Sequence, residues 1–223
     1  RPLLVVQQVY AAWALSLVII AISGSFVGMV LALQGYRTLV TFGAGESLGV
    51  FVALVIVREL GPVVTALLFA GRAGSAIAAE IGLMKATDQL GGMEMMAVDP
   101  ISRVIAPRFL AGVLAMPMLS AIFCVMAIGV GGGQLIGVDL LGVDEGAYWS
   151  QIQSQVEFSD IRNGIVKSLV FGATVSWIAV YQGYTSAPTS AGISNATKST
   201  VVLSSLAILA LDLALTALMF QRV

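Results

Sequence analysis

The stretch FLAGVLAMPMLSAIFCVMAIGVGGGQLIGV, residues 109–138, decides the class of fold because it contains no charged side chain. A helix needs about 20 mostly apolar residues to cross the hydrocarbon core of a bilayer, and this stretch is longer than that. It therefore predicts a membrane-spanning helix that tilts or extends past the bilayer.

Four further apolar runs of transmembrane length accompany it. The five predicted spans lie at about residues 12–33, 48–70, 109–138, 164–184 and 200–220. Composition agrees, because 58% of the residues are hydrophobic and only 10% are charged, whereas a soluble domain carries about 25% charged residues. We therefore predict an all-α integral membrane protein with about five transmembrane helices, forming one domain over residues 1–223.

A short segment precedes the first span. Residues 1–10 are expected to be the end of an interfacial segment leading into the span. The chain starts at Arg1 instead of Met, so this segment is expected to be cut short.

Composition also limits the chemistry available to the chain. There is no histidine and one cysteine, Cys124, which lies inside an apolar run. A disulfide framework or a thiolate metal cluster within one chain is therefore excluded, and the commonest general base is absent. The net charge of −1 gives no reason to expect a nucleic-acid partner. We expect a non-catalytic protein that binds no metal or cofactor itself.

The orientation is predicted from lysine and arginine near the span ends. The connection between spans two and three is rich in them, whereas the connection between spans three and four is acidic, with Arg162 alone. We place the first of these connections, and residues 185–199, in the cytoplasm. The basic residues of the first connection are Arg72, Lys85, Arg103 and Arg108.

The cytoplasmic connection is expected to hold a short helical hairpin at residues 74–96. Ser75 is a plausible N-cap, Lys85 and Asp88 are spaced to pair on a helix surface, and Gly91-Gly92 should interrupt the helix.

The same hairpin carries an apolar surface formed by Met93, Met95 and Met96. Methionine surfaces adapt to a partner's groove, so one interpretation is a docking surface. A loop packed on its own bundle is the other, and the residues alone leave both open.

The acidic segment 139–160 is expected to form a short helix on the outer side. Its Tyr148 and Trp149 are predicted to lie at headgroup depth, where aromatic side chains collect.

Four charged residues fall within predicted spans: Arg58, Glu59, Lys167 and Asp212. Each costs about 2.5–3.5 kcal/mol at the centre of a span, so each needs a partner, water or a function. Arg58 and Glu59 are adjacent and point about 100° apart on a helix, so we expect Lys167 and Asp212 to supply their partners. Salt bridges that hold the bundle and a polar site for a lipid headgroup remain alternatives. Lys167 is also placed where it could extend to the outer interface, and Pro62 should kink span two.

Glycines recur at the spacing that lets membrane helices approach closely. Gly24 and Gly28 form one such pair, and Gly129, Gly133 and Gly137 form a series. The series is not a phosphate-binding loop, because it lies within a spanning run and no Lys-Ser/Thr follows.

Several long motifs resemble the MlaE/YrbE family of permeases. They are VRELGPVVTALLFAGRAGSAIAAEIGLMKATDQL (57–90), MEMMAVDPISRVIAPR (93–108), GMVLALQGY (28–36), GYTSAPTSAGISNATKSTVV (183–202) and ALDLALTALMF (210–220). The resemblance runs in order along nearly the whole chain.

The resemblance implies a permease subunit of an ABC transporter that moves phospholipids between the inner and outer membranes of Gram-negative bacteria, maintaining outer-membrane lipid asymmetry. It implies a homodimer in the inner membrane with two copies of a cytoplasmic ATPase that binds ATP and Mg. A STAS-domain protein would join through that ATPase, and a hexameric MCE-domain protein would bind on the periplasmic side.

The resemblance also assigns roles to residues. It makes the region 74–96 a cytoplasmic coupling helix, for which we name Glu80, Met84, Lys85, Asp88 and Met93. It places the four charges around a lipid site, to which we add Leu31, Leu39 and Phe42 near the outer end of the first span.

Other classes of membrane protein would need features of their own. A secondary transporter would show inverted repeats, a channel would need polar rings around a pore, and a lipid-modifying enzyme would need a nucleophile or metal set. A scaffold that binds the ATPase but no lipid is a further alternative.

Overall fold

The computed structural model describes residues 2–138 and 140–220, with side chains described for 16–132 and 140–219. These residues form helices and turns, without a strand. The predicted interfacial segment 1–10 lies outside the residues whose side chains are described. The α-helices of the described ranges are α1 Pro2–Thr41, α2 Leu48–Val55, α3 Gly61–Phe69, α4 Ser75–Ala86, α5 Gln89–Met95, α6 Ala106–Val125, α7 Glu145–Gln155, α8 Phe158–Thr185 and α9 Ser190–Phe220.

Five helical segments are long and apolar enough to cross a membrane, which confirms the predicted fold class. They are Ser16–Thr41, Gly45–Ala86, Ile101–Gly132, Phe158–Thr185 and Ser190–Met219. The second segment is much longer than the predicted span, because π-helical turns at Ile56–Leu60 and Ala70–Gly74 join α2, α3 and α4 without a break. The hairpin predicted at 74–96 therefore begins as a direct continuation of span two.

Ser75 is not the N-cap that the sequence suggested. The helix is already continuous at Gly74, which has φ −60° and ψ −48°. The Ser75 hydroxyl instead donates to the carbonyl oxygens of Gly71 at 2.6 Å and Arg72 at 2.9 Å. A serine inside a helix commonly bonds back to the preceding turn in this way.

The hairpin breaks earlier than the glycines predicted. Asp88 has a positive φ of 55°, a left-handed conformation that aspartate tolerates better than most residues. Gly91 and Gly92 lie inside α5. Because Asp88 no longer shares a helix with Lys85, the expected pair does not form, and Lys85 Nζ donates to the carbonyl oxygen of Tyr184 at 2.8 Å.

The chain divides into two compact units. Unit 1 comprises Arg1–Ser16, Ala66–Pro117 and Ser168–Val223, and unit 2 comprises Leu17–Thr65 and Met118–Lys167. Unit 1 contains the connections that charge bias assigns to the cytoplasm, and unit 2 contains those assigned to the outside.

Close glycine packing holds unit 2 together. A Cβ on Gly28 would collide with the carbonyl oxygen of Ala127, and one on Gly24 would lie 2.9 Å from the carbonyl oxygen of Phe123. These contacts confirm that the first glycine pair is a packing surface. On the third span the close approach occurs at Gly131, against the backbone of Ser25, whereas Gly129 has only Trp149 near it, at 3.9 Å. Gly133 and Gly137 lie outside the described side chains.

The acidic segment forms the expected short helix, α7. Asp144 caps it, accepting a hydrogen bond from the backbone N–H of Ala147 at 2.8 Å. Tyr148, which was expected at headgroup depth, is fully buried within the chain and donates to the carbonyl oxygen of Ile128 at 3.0 Å. Burial raises the pKa of the Tyr148 phenol above its ordinary value, which widens the pH range over which the hydroxyl can donate. Trp149 is 40% exposed.

Candidate functional site

The charged residues of span two sit on a π-helical turn, Ile56–Leu60, which ends two residues before Pro62. Proline has no N–H and cannot donate to the carbonyl four residues earlier, which here belongs to Arg58. π-helical turns inside α-helices occur often at functional sites. Where the sequence predicted a kink from Pro62, the structure shows this π-helical turn, which carries Arg58 and Glu59.

Lys167 of α8 satisfies both groups that the turn leaves in need of a donor. Its Nζ donates to Glu59 Oε2 at 2.8 Å and to the carbonyl oxygen of Arg58 at 3.0 Å. The Lys167 side chain is 2% exposed and that of Glu59 is 35% exposed. The expected pairing of Lys167 with Glu59 is confirmed, and the expectation that Lys167 extends to the interface is wrong, because burial against Glu59 holds it inside.

Arg58, for which Asp212 was the expected partner, forms its ion pair with Asp160. Arg58 Nε lies 2.7 Å from Asp160 Oδ1, and the aspartate side chain is only 4% exposed. Asp160 Oδ2 also accepts the backbone N–H of Glu157 at 3.1 Å, which anchors it in the first turn of α8. Asp160 and Lys167 are seven residues apart, two turns of one helix, and therefore present both charges on one face.

Sequence reasoning missed Asp160 because it lies outside the apolar run of span four. Its signal was the i, i+7 spacing to Lys167, opposite two adjacent charges of span two. We call Arg58, Glu59, Asp160 and Lys167 the charged cluster. Its formal charges sum to zero, and its two most exposed members, Arg58 at 43% and Glu59 at 35%, carry opposite signs. Such a surface suits a ligand that bears both charges.

The other predicted lipid-site residues lie on α1, just after it and on α9. Leu31 and Leu39 are half-buried on α1, and Phe42, just after α1, is 81% exposed. These three belong to unit 2. Asp212 is half-buried on α9 in unit 1.

The predicted coupling residues lie on α4, on α5 and in the turn between them. Glu80 and Asp88 are exposed, whereas Met84, Lys85 and Met93 are half-buried. Glu80 Oε2 accepts a hydrogen bond from Arg108 Nη2 at 3.0 Å, a partner that the sequence did not suggest. Three apolar residues of the same region are also exposed: Met95 at 91%, Met96 at 71% and Leu83 at 55%. Following the docking interpretation of the sequence, we call Leu83, Met95 and Met96 the apolar docking surface.

A metal site is not found among the described residues: they contain no group of three or more potential ligands from histidine, cysteine, aspartate and glutamate. The carboxylates of the charged cluster are instead engaged by Arg58 and Lys167.

Comparisons with known proteins agree with these features. The family model described as Permease MlaE matches residues 5–218. The intermembrane phospholipid transport system permease protein MlaE of Haemophilus influenzae is 60% identical over 218 residues, covering 97% of this chain and 83% of its own. A probable ABC transporter permease protein of Rickettsia typhi is 39% identical over 98% of this chain and 83% of its own.

A plant relative extends the similarity. Protein TRIGALACTOSYLDIACYLGLYCEROL 1, chloroplastic, of Arabidopsis thaliana is 33% identical over 96% of this chain and 61% of its own. A family match over almost the full chain, together with five helices of membrane-spanning length, gives one conclusion: the chain is a multi-pass membrane protein that belongs to the MlaE permease family.

Proposed function

We propose that this protein is the permease subunit of an ABC transporter in the bacterial inner membrane, which moves phospholipids between the inner and outer membranes and maintains outer-membrane lipid asymmetry. The observation that carries the proposal is the 60% identity, over 97% of the chain, to a protein named for intermembrane phospholipid transport. The permease itself performs no chemistry and binds no cofactor, while ATP and Mg bind to a partner ATPase.

The charged cluster is the proposed contact for the lipid headgroup. Its half-buried Arg58 and Glu59 offer one positive and one negative group, which match the phosphate and the amine of a zwitterionic phospholipid. The buried Lys167 holds Glu59 in position through their ion pair. Leu31, Leu39 and Phe42 are the proposed contacts for acyl chains, and Asp212 is a candidate on sequence grounds alone.

A homodimer is proposed as the working form, with the lipid cavity built from both copies. Support comes from the last span, in which 11% of the span window is buried within the chain, against 28–44% in the other four. An apolar helix with so little packing in its own chain has surface available for a second copy.

The proposed partners lie on both sides of the membrane. Two copies of the ATPase would bind in the cytoplasm, one on each apolar docking surface, with a STAS-domain protein attached through the ATPase. A hexameric MCE-domain protein would receive or supply lipid on the periplasmic side.

The docking proposal predicts the effect of charges on the apolar docking surface. Met95→Asp together with Met96→Asp is expected to weaken ATPase binding by at least about 30-fold, because the loss of even one buried interface anchor costs about 2 kcal/mol or more. The fold should survive, since Met95 is 91% exposed and Met96 is 71% exposed. Co-purification of the ATPase with the detergent-solubilised permease measures the effect.

Leu140→Asp is the matched control, because Leu140 is 65% exposed in the connection predicted to lie outside. It should leave ATPase binding unchanged. Equal ATPase recovery with the double variant and with the unmodified protein would contradict the docking role of these methionines.

Native mass spectrometry of the purified protein, expressed with and without candidate ATPase and MCE partners, tests the proposed function as a whole. The proposal predicts a dimer that retains phospholipid and gains two ATPase subunits. A lipid-free monomer that ignores the ATPase would contradict it.

A further inference from the structure

A buried arginine links residues 74–96, called the docking segment below, to the third span, and the proposed function leaves this arginine without a role. Arg108 lies in the first turn of α6 and is only 7% exposed. Its Nη2 donates to Glu80 Oε2 at 3.0 Å, and its Nη1 lies 3.5 Å from Met84 Sδ. Its Nε is buried without a hydrogen-bond partner among the described residues. The ion pair with the Glu80 carboxylate therefore supplies much of the interaction that stabilises this buried guanidinium.

Both contacts of Arg108 fall on one face of α4. Glu80 and Met84 are four residues apart and so are neighbours along that helix. Arg108 therefore holds α4 at two successive turns. Because it is buried, Arg108 cannot itself form much of a surface for another protein, whereas the Glu80 side chain is 57% exposed.

The opposite side of α4 packs against the end of α8 and the start of the connection that follows it. A Cβ on Gly82 would lie 3.1 Å from Ser186 Oγ, and one on Gly183 would lie 2.8 Å from the carbonyl oxygen of Ala78. Lys85 bonds the carbonyl oxygen of Tyr184 at 2.8 Å. Contacts therefore hold α4 on both sides within unit 1. A displacement of α4 must consequently displace the residues that pack against it.

Beyond Arg108, α6 packs tightly on α8. A Cβ on Gly112 would collide with Ser176 Oγ, and one on Gly172 would lie 2.7 Å from Met116 Cβ. Phe109 meets Trp177 edge to face, with ring centroids 6.2 Å apart. A displacement of the start of α6 would therefore affect span four, because close-packed interfaces transmit strain.

We propose that Arg108 is a positioning residue that couples the docking segment to the third span, converting ATPase-driven movement of α4 into movement of α6. The inference rests on the proposed function and identifies the contact through which the ATPase acts on the membrane spans. The exposed part of the Glu80 side chain faces the cytoplasmic partner, and its Oε2 contacts Arg108. The pair is thus a joint between the ATPase and the membrane domain.

The experiment uses the complete complex reconstituted in liposomes, with three quantities measured together: ATPase bound, ATP hydrolysed and phospholipid moved. In Arg108→Gln, the ATPase should still bind and hydrolyse ATP, while phospholipid moved per ATP falls about 5- to 150-fold, the usual range of coupling between sites. Arg108→Lys, which keeps a charge that reaches Glu80, should recover part of the loss. Glu46→Gln, an exposed carboxylate in unit 2, is the control and should match the unmodified protein.

An unchanged ratio of phospholipid to ATP in an assembled Arg108→Gln complex would overturn the proposal. So would loss of ATPase binding, which would make the pair part of the docking surface, or failure of both arginine variants to fold, which would make its role structural. If the unmodified complex itself hydrolyses ATP but moves no phospholipid, the proposed function fails, and that outcome is seen in a separate arm.

Discussion

Removal of the Glu59 carboxylate is expected to destabilise this protein by about 3 kcal/mol, because it leaves the ammonium of Lys167 buried without its carboxylate. Lys167 is 2% exposed and lies 2.8 Å from Glu59 Oε2. The 35% exposure of Glu59 places the expected loss at the lower end of the range for buried pairs, since water screens part of the interaction. Glu59→Ala should therefore lower the midpoint of thermal unfolding in detergent.

The double variant Glu59→Ala, Lys167→Met separates structure from function. Apolar replacement of both members of a buried ion pair is often neutral for stability, so the double variant should recover most of the lost stability. A remaining deficit of about 1 kcal/mol is expected from the lost hydrogen bond to the Arg58 carbonyl. Lipid transfer should stay low, because the negative group proposed to meet the headgroup is gone.

Glu46→Ala, which removes an exposed carboxylate elsewhere in unit 2, is the matched control and should change neither property. Full transport by the double variant would contradict a headgroup role for Glu59 and leave the pair as a structural contact alone. An unaltered melting midpoint in Glu59→Ala would contradict the ion pair itself.

A single methyl group at position 28 is expected to cost about 3 kcal/mol, at the upper end for overpacking. The Cβ of Gly28→Ala would collide with the carbonyl oxygen of Ala127. A backbone oxygen cannot rotate away as a side chain can, so the helices themselves must separate. Close contact at glycine is the feature that lets membrane helices associate. The measurement is the melting midpoint and the yield of folded protein in detergent.

Gly71→Ala is the matched control, because nothing lies within 4 Å of a Cβ built there. Alanine also favours a helix over glycine by about 0.5–1 kcal/mol, so this variant should be as stable as the unmodified protein or slightly more so. Equal behaviour of the two alanine variants would show that the contact between Gly28 and Ala127 is not required.

The sequence predicted the spans well because the hydrocarbon core imposes one strong requirement, a long apolar helix. It also predicted the pairing of Glu59 with Lys167, since opposite charges in apolar surroundings have few alternatives. It failed for Arg58, whose partner Asp160 stands at a helix start outside the apolar run. Hydropathy identifies charges inside spans and gives no weight to one just beyond the end.

Local backbone geometry was the other limit. The π-helical turn at Ile56–Leu60 has no hydropathy signature, and Pro62 indicated only that the helix would be disturbed. The break at Asp88 was assigned to Gly91-Gly92 because glycine is the usual left-handed residue, yet glycines also continue within a helix when tertiary packing favours it. Arg108 was overlooked because, in sequence, it resembles any basic residue in a cytoplasmic connection. The roles in lipid binding and ATPase docking stay predictions.

The most direct test of the central claim is ATP-dependent phospholipid transfer by the complex. The permease is reconstituted in liposomes with its ATPase and MCE partners, and fluorescent phospholipid is followed into acceptor liposomes. We predict transfer that requires ATP and a functional ATPase, and that falls sharply in the double variant Glu59→Ala, Lys167→Met while ATPase binding remains. Transfer at the same rate without ATP, or no transfer by an assembled complex that hydrolyses ATP, would contradict the account.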